Sequence, residues 1–129
     1  MTTFPKLVAF AVLTIVAWTA IGADAVDQAV LVRASISTLS NDELFDELEL
    51  LEAELEHAID AAQVGEFDGN EIGEGELVLY MYGPDAEKVL EAVAPILRRS
   101  HLTRDGVVVV RDGPPGADER TIRLSPASK

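Results

Sequence analysis

Between residues 68 and 76 the chain sets five hard oxygen donors close together: Asp68, Asn70, Glu71, Glu74 and Glu76. Carboxylate and amide oxygens are what Ca²⁺ takes as ligands, six to eight at a time. Asp68-x-Asn70 followed by Gly73 begins like an EF-hand loop. The pattern then fails, because the fifth position is Ile72 and the twelfth is Leu79, where a bidentate Glu is needed. A cation site built on Asp68, Asn70, Glu71 and Glu74 is therefore irregular and weak. The plainer reading is a glycine-rich acidic turn. There Gly69, Gly73 and Gly75 supply positive φ and the acids supply solubility.

Nothing else in the chain assembles a reacting centre. The two histidines, His57 and His101, are 44 residues apart, and there is no cysteine to complete a zinc site. No Gly-x-Ser-x-Gly is present, and the serines fall in caps or strands. Tyr80 and Tyr82 alternate with Leu79 and Met81, which reads as packing on a sheet. No enzyme activity is expected and no cofactor is called for.

Charge is the second signal. The formal net charge is -13. Such a field repels nucleic acid and anionic membrane surfaces and favours cations or a basic protein partner. It is also lopsided. Residues 26–87 hold 17 acids against one arginine, whereas residues 88–129 hold five acids and eight Lys or Arg. Within the acidic half, Glu47 and Glu54 stand at the centre of a carboxylate-rich helical face that contains no lysine. That face is either a solvated surface or a docking site for something positive.

The elements that hold these residues are legible from periodicity. Residues 29–37 alternate, with Val30, Val32, Ala34 and Ile36 on one side and Arg33, Ser35 and Ser37 on the other, as a strand does. Ser40 followed by Glu43 is a capping box. A helix to about residue 62 follows, with the apolar stripe Leu44, Leu48, Leu51, Leu55, Ile59, Ala62, widened by Phe45 and Ala58. A short strand is expected at 64–67, then the acidic connection, then the strongest strand at 77–82, apolar enough to be buried on both faces or nearly so. Pro84 suits the first position of a second helix, whose buried stripe is Ala86, Val89, Leu90, Val93, Ile96 and Leu97. Pro95 should kink or tighten its last turn. Residues 106–111 and 120–124 form a closing hairpin around the turn 112–119.

The resulting order is βαββαβ plus a C-terminal edge strand. That is the ferredoxin-like split β-α-β sandwich, an α+β fold with two helices on one face of an antiparallel sheet. The sheet's other face is left to solvent, to a second copy or to a partner.

Ahead of this domain, residues 7–22 carry no charge, follow a single Lys6, and precede Ala23-Asp24-Ala25. This is the layout of a secretory signal peptide cleaved after Ala25. An uncleaved membrane anchor is the alternative, although the apolar run falls short of the ~20 residues that span a bilayer. Residues 1–25 are thus a signal, 26–124 one domain, and 125–129 a flexible tail, with no membrane contact after cleavage. Without cysteine the exported domain has no disulfides and must rely on its packed core.

Asp68-Gly69-Asn70-Glu71-Ile72-Gly73 and the later Tyr82-Gly83-Pro84-Asp85-Ala86 resemble a pattern in small uncharacterised bacterial proteins: a D-G-x-E-x-G loop and a Y-G-P-D-A helix start. The resemblance covers residues 64–111 and implies the same split β-α-β core, with no activity attached. The expected function is that of an exported, periplasmic or secreted, non-catalytic module that binds a protein or pairs with itself. A weak cation or small-ligand sensor at 68–76, and a polyanion-mimicking inhibitor or immunity protein, are the alternatives.

Overall fold

The computed structural model describes residues 27–124; the expected signal peptide (1–25) and tail (125–129) lie outside the described residues. β1 (Gln28–Ser35) is the middle strand of a five-stranded sheet. It buries Val30, Val32 and Ala34 on one side. α1 (Asn41–Ala62) starts at Ser40, where the expected capping box is in place. The Ser40 N–H donates to Glu43 Oε2 at 3.1 Å, and the Glu43 N–H donates to Ser40 Oγ at 3.4 Å. The Ser40 hydroxyl, which donates to Glu43 Oε2 at 2.6 Å, and then the Ser40 N–H hold the Glu43 carboxyl below its ordinary pKa. Their stabilising effect is therefore present above the usual glutamate range and lost as acid protonates the group.

β2 (Glu66–Gly73) and β3 (Glu76–Gly83) form a hairpin joined by Glu74 and Gly75. Both have positive φ, 53° and 77°, as a tight two-residue turn requires. α2 (Ala86–Arg99) follows, then β4 (Val107–Arg111) and β5 (Glu119–Arg123). The strand order is β2-β3-β1-β4-β5, and every neighbouring pair is antiparallel. This is the ferredoxin-like split β-α-β sheet with one strand added at the β4 edge.

Both helices lie on one face of the sheet. Leu44, Leu48, Leu51, Leu55 and Ile59 of α1 and Val89, Val93, Ile96 and Leu97 of α2 are buried against Val30, Val32, Leu77, Leu79, Met81, Val108 and Val110. That single slab is the core.

Four expectations need correction. The acidic stretch 67–76 is not a connection: most of it is strand β2, and only its end turns. As an outer strand it pairs on one side only, so it needs no apolar alternation, and its Gly and acid content concealed it. Phe45 is 58 % exposed, because Leu44 takes the core-facing place and its neighbour swings about 100° round the helix; Ala62, at the frayed end of the stripe, is exposed as well. The cap of α2 is Asp85, whose side chain accepts from the Glu87 N–H at 3.0 Å, so Pro84 precedes the cap and is not the first helical residue. β3 is buried on one face only: Leu77, Leu79 and Met81 are covered, whereas Val78, Tyr80 and Tyr82 are half-buried. The helix runs through Pro95 to Arg99, with Pro95 on its exposed side.

Candidate functional site

The hairpin distributes the four expected cation ligands instead of gathering them. Side chains alternate across a strand, and β2 adds a bulge between Phe67 and Gly69. Asn70 faces the helices, where its Nδ2 donates to Glu52 Oε2 of α1 at 2.5 Å. Glu71 faces the opposite way and accepts a hydrogen bond from the Tyr80 hydroxyl. Asp68 occupies the bulge, and Glu74 lies in the turn. Among the described residues no three His, Asp or Glu side chains converge on one point.

The Tyr80–Glu71 contact has a measurable consequence. The carboxylate holds the phenolic proton, and its charge opposes formation of a phenolate, so the Tyr80 pKa is raised above the ordinary 10.0. Tyr80 should ionise later than a free tyrosine in a spectrophotometric alkaline titration, and Glu71→Gln should shorten that lag. The contact's stabilising effect is present below pH ~10 and lost as pH rises through the shifted value. An unchanged titration in the Gln variant would remove the contact from the account.

The two acids expected to meet a partner are placed on α1, beside α2. Glu54 accepts from Arg99 Nη2 at 2.6 Å, so this carboxylate already has a cation. Glu47 lies nearby in a shallow concavity with Leu50, Ile96, Arg99 and His101. Leu50, on the same flank, is 68 % exposed. His57 and His101 are exposed and belong to different segments, α1 and the turn after α2.

The largest feature was only partly anticipated: the sheet face away from the helices. Its side chains follow from the ladder registers. One row across the sheet is Glu66, Tyr82, Ala29, Arg111, Glu119. The next is Gly69, Tyr80, Leu31, Val109, Thr121, and the third is Glu71, Val78, Arg33, Val107, Arg123. Among the described residues no element packs over these rows. Of their apolar members, Val78, Tyr80, Tyr82, Val107 and Val109 are half-buried, whereas Ala29 and Leu31 of the middle strand are buried. The run Val107-Val108-Val109-Val110 was the signal for it. A strand with valine at every position has no polar side to present to water.

At one end of this face Asp27, Glu66, Asp68, Tyr82, Arg111 and Pro114 line an open concavity of about 380 Å³. It offers carboxylates and one guanidinium, held in part by an Arg111 Nε–H bond to the Gly113 carbonyl at 2.9 Å. It contains no nucleophile paired with a base. The arrangement is suited to contact with another surface.

Neither a family model nor a curated protein matches the chain.

Proposed function

We propose that this protein is a non-catalytic binding module of the exported compartment, and that it engages a protein surface through the open face of its sheet. One observation carries the reading: Val78, Tyr80 and Tyr82 of β3 and Val107 and Val109 of β4 stay partly exposed around the buried Ala29 and Leu31 of β1, with no helix over them among the described residues and charged side chains at their flanks. An apolar centre with a charged rim is the usual anatomy of a protein interface.

Photo-crosslinking in the native compartment tests it. A benzophenone side chain placed at Val109 should yield covalent protein adducts. The same group at Ala53, on the exposed side of α1, should yield none. No adduct from position 109 would sink the reading.

A second reading rests on α1 itself. Nine of its residues are acidic and none is Lys or Arg, so it lacks the i,i+4 pairs that offset repulsion. A basic partner docking across Glu47 and its neighbours would relieve that cost, by polyanion mimicry. Binding of that kind weakens steeply with salt, and the adducts would then come from position 53.

A further inference from the structure

The sheet ends at β5 in an edge whose residues complement themselves, and we propose that two copies of this chain join there, β5 to β5, into one continuous ten-stranded sheet. The pairing is independent of the open-face reading. It uses the rim of the sheet and leaves both open faces free, on the same side of the joined sheet.

The two edges of the sheet are β2 and β5. β2 carries features that blunt an edge: a bulge between Phe67 and Gly69, a second glycine at 73, and acids as its only charged residues. β5 has no proline, glycine or bulge, and its centre is the β-branched pair Thr121-Ile122. Glu119, Arg120, Thr121 and Arg123 are exposed. α1 packs over β2, and α2 over β3, β1 and β4, so among the described residues neither helix overhangs β5.

The backbone groups of β5 divide cleanly. The Leu124 N–H donates to the Gly106 carbonyl at 2.9 Å, and the Asp112 N–H donates to the Asp118 carbonyl at 3.0 Å. Bonded and non-bonded pairs alternate in an antiparallel ladder, and the β4–β5 register runs between those two ends without a shift. Arg120 and Ile122 therefore bond to β4. Glu119, Thr121 and Arg123 turn their N–H and C=O groups outward.

A two-fold axis normal to the sheet pairs β5 with its copy antiparallel and keeps the helices of both copies on one side. Centred on Thr121, it sets Thr121 against itself and Glu119 against Arg123 of the other copy, twice by symmetry. All three outward-facing residues are then in bonded pairs. On the helix side Ile122 falls opposite the aliphatic stem of Arg120, also twice. The two Arg120 side chains lie diagonally across the axis, but each is already held by Glu87 of its own α2. No other register does as well. Centring on Glu119, Arg120 or Arg123 sets a charge against itself. Centring on Ile122 leaves Arg123 opposite Thr121 and one fewer bonded pair.

The net charge of -13 does not oppose this contact, because it is concentrated elsewhere. α1 has nine acids and β2 three, with no Lys or Arg on either. β2 lies four strand spacings from β5, roughly 19 Å. The acidic flanks of the two copies are then about 40 Å apart, several Debye lengths at 0.15 M salt. A five-residue ladder is a small interface, so dimerisation depends on concentration.

The test uses protein recovered from the expressing cell as processed there, its protomer mass read by denaturing mass spectrometry. Sedimentation equilibrium at about 0.15 M salt should show a monomer passing, with concentration, to twice that mass and no further. The chain has no cysteine, so Thr121→Cys introduces a single thiol at the axis. Mild oxidation should give a covalent dimer, since the Cα atoms of a bonded pair lie about 5.5 Å apart, within disulfide reach. Ile72→Cys, on the other edge and 41 % exposed, should cross-link at least about tenfold more slowly. Thr121→Pro removes an N–H that the monomer does not use, and should give a monomer with an unchanged far-UV spectrum. Glu119→Arg alone and Arg123→Glu alone should each weaken the dimer about tenfold, and E119R/R123E should return most of the loss.

A monomer at the highest attainable concentration would overturn the pairing. So would equal cross-linking of the two cysteine variants, a dimer untouched by Thr121→Pro, or a double charge variant no better than the single ones. Masses growing beyond the dimer would mean that β5 takes β2 head to tail, and would overturn it as well. A monomer that still yields adducts from position 109 removes this dimer and leaves the open-face reading. A dimer without such adducts does the reverse.

Discussion

Leu55→Ala is expected to lower the unfolding free energy by about 3 kcal/mol, a large share of the 5–15 kcal/mol typical of a domain. Leu55 is 0 % exposed and sits midway along α1, between the sheet and α2. Truncation removes its transfer energy and leaves a cavity that the slab cannot close, because α1 is anchored on both sides by Leu51 and Ile59. Leu50→Ala deletes the same atoms from the same helix at a site 68 % exposed, and should change stability by no more than about 0.5 kcal/mol. Urea titration followed by far-UV circular dichroism measures both. Equal losses at the two positions would mean that the helix docks by another face.

The second large effect is expected from Gly83→Ala. A Cβ there would stand 2.2 Å from the Val64 carbonyl oxygen and 2.9 Å from Val89 Cγ2. On the facing segment, just before β2, a Cβ at Gly65 would stand 2.0 Å from the Tyr82 carbonyl oxygen. The two glycines let the backbones of 64–65 and 82–83 pass in near contact where the β2–β3 hairpin opens. The obstacle is backbone, so no rotamer change relieves it. Gly83→Ala should cost about 3 kcal/mol, lowering the melting temperature by roughly 10 °C or more in a domain of this size. Gly73→Ala, in the same hairpin, meets nothing within 4 Å and should shift melting by no more than about 2 °C. A Gly83 variant that melts with the parent would show that the two segments separate without cost.

These two predictions differ in how far the residues announce themselves. Leu55 belongs to a stripe that any 3.6-residue periodicity reveals, and the capping box marks where the helix begins. Gly83 does not. In the sequence it reads as the punctuation before Pro84-Asp85, and only the hairpin shows that a neighbouring carbonyl occupies the space of its side chain. The acidic stretch 67–76 reads as a turn in the sequence for a related reason. An outer strand bonded on one side only can be built of Asp, Gly, Asn and Glu, a composition otherwise typical of turns. Its strand character comes from the ladder it makes with β3, which no local pattern encodes.

What the sequence determined by itself is local: the two helices and their buried stripes, the strands of the apolar runs, the start of α1, and the strand–helix order that leads to a split β-α-β sheet. It determined the charge imbalance as well. What only the tertiary structure decided is which residues share a face. Antiparallel pairing brings Glu71, Val78, Arg33, Val107 and Arg123 into one row from five separate strands. It sends Asn70 to the helices and Glu71 to the open side, one residue apart. Side-chain alternation is a property of each strand, but its direction is set by register across the sheet. Register is a long-range choice, made when the helices claim one face and leave the other with acids on one edge and arginines toward the opposite one.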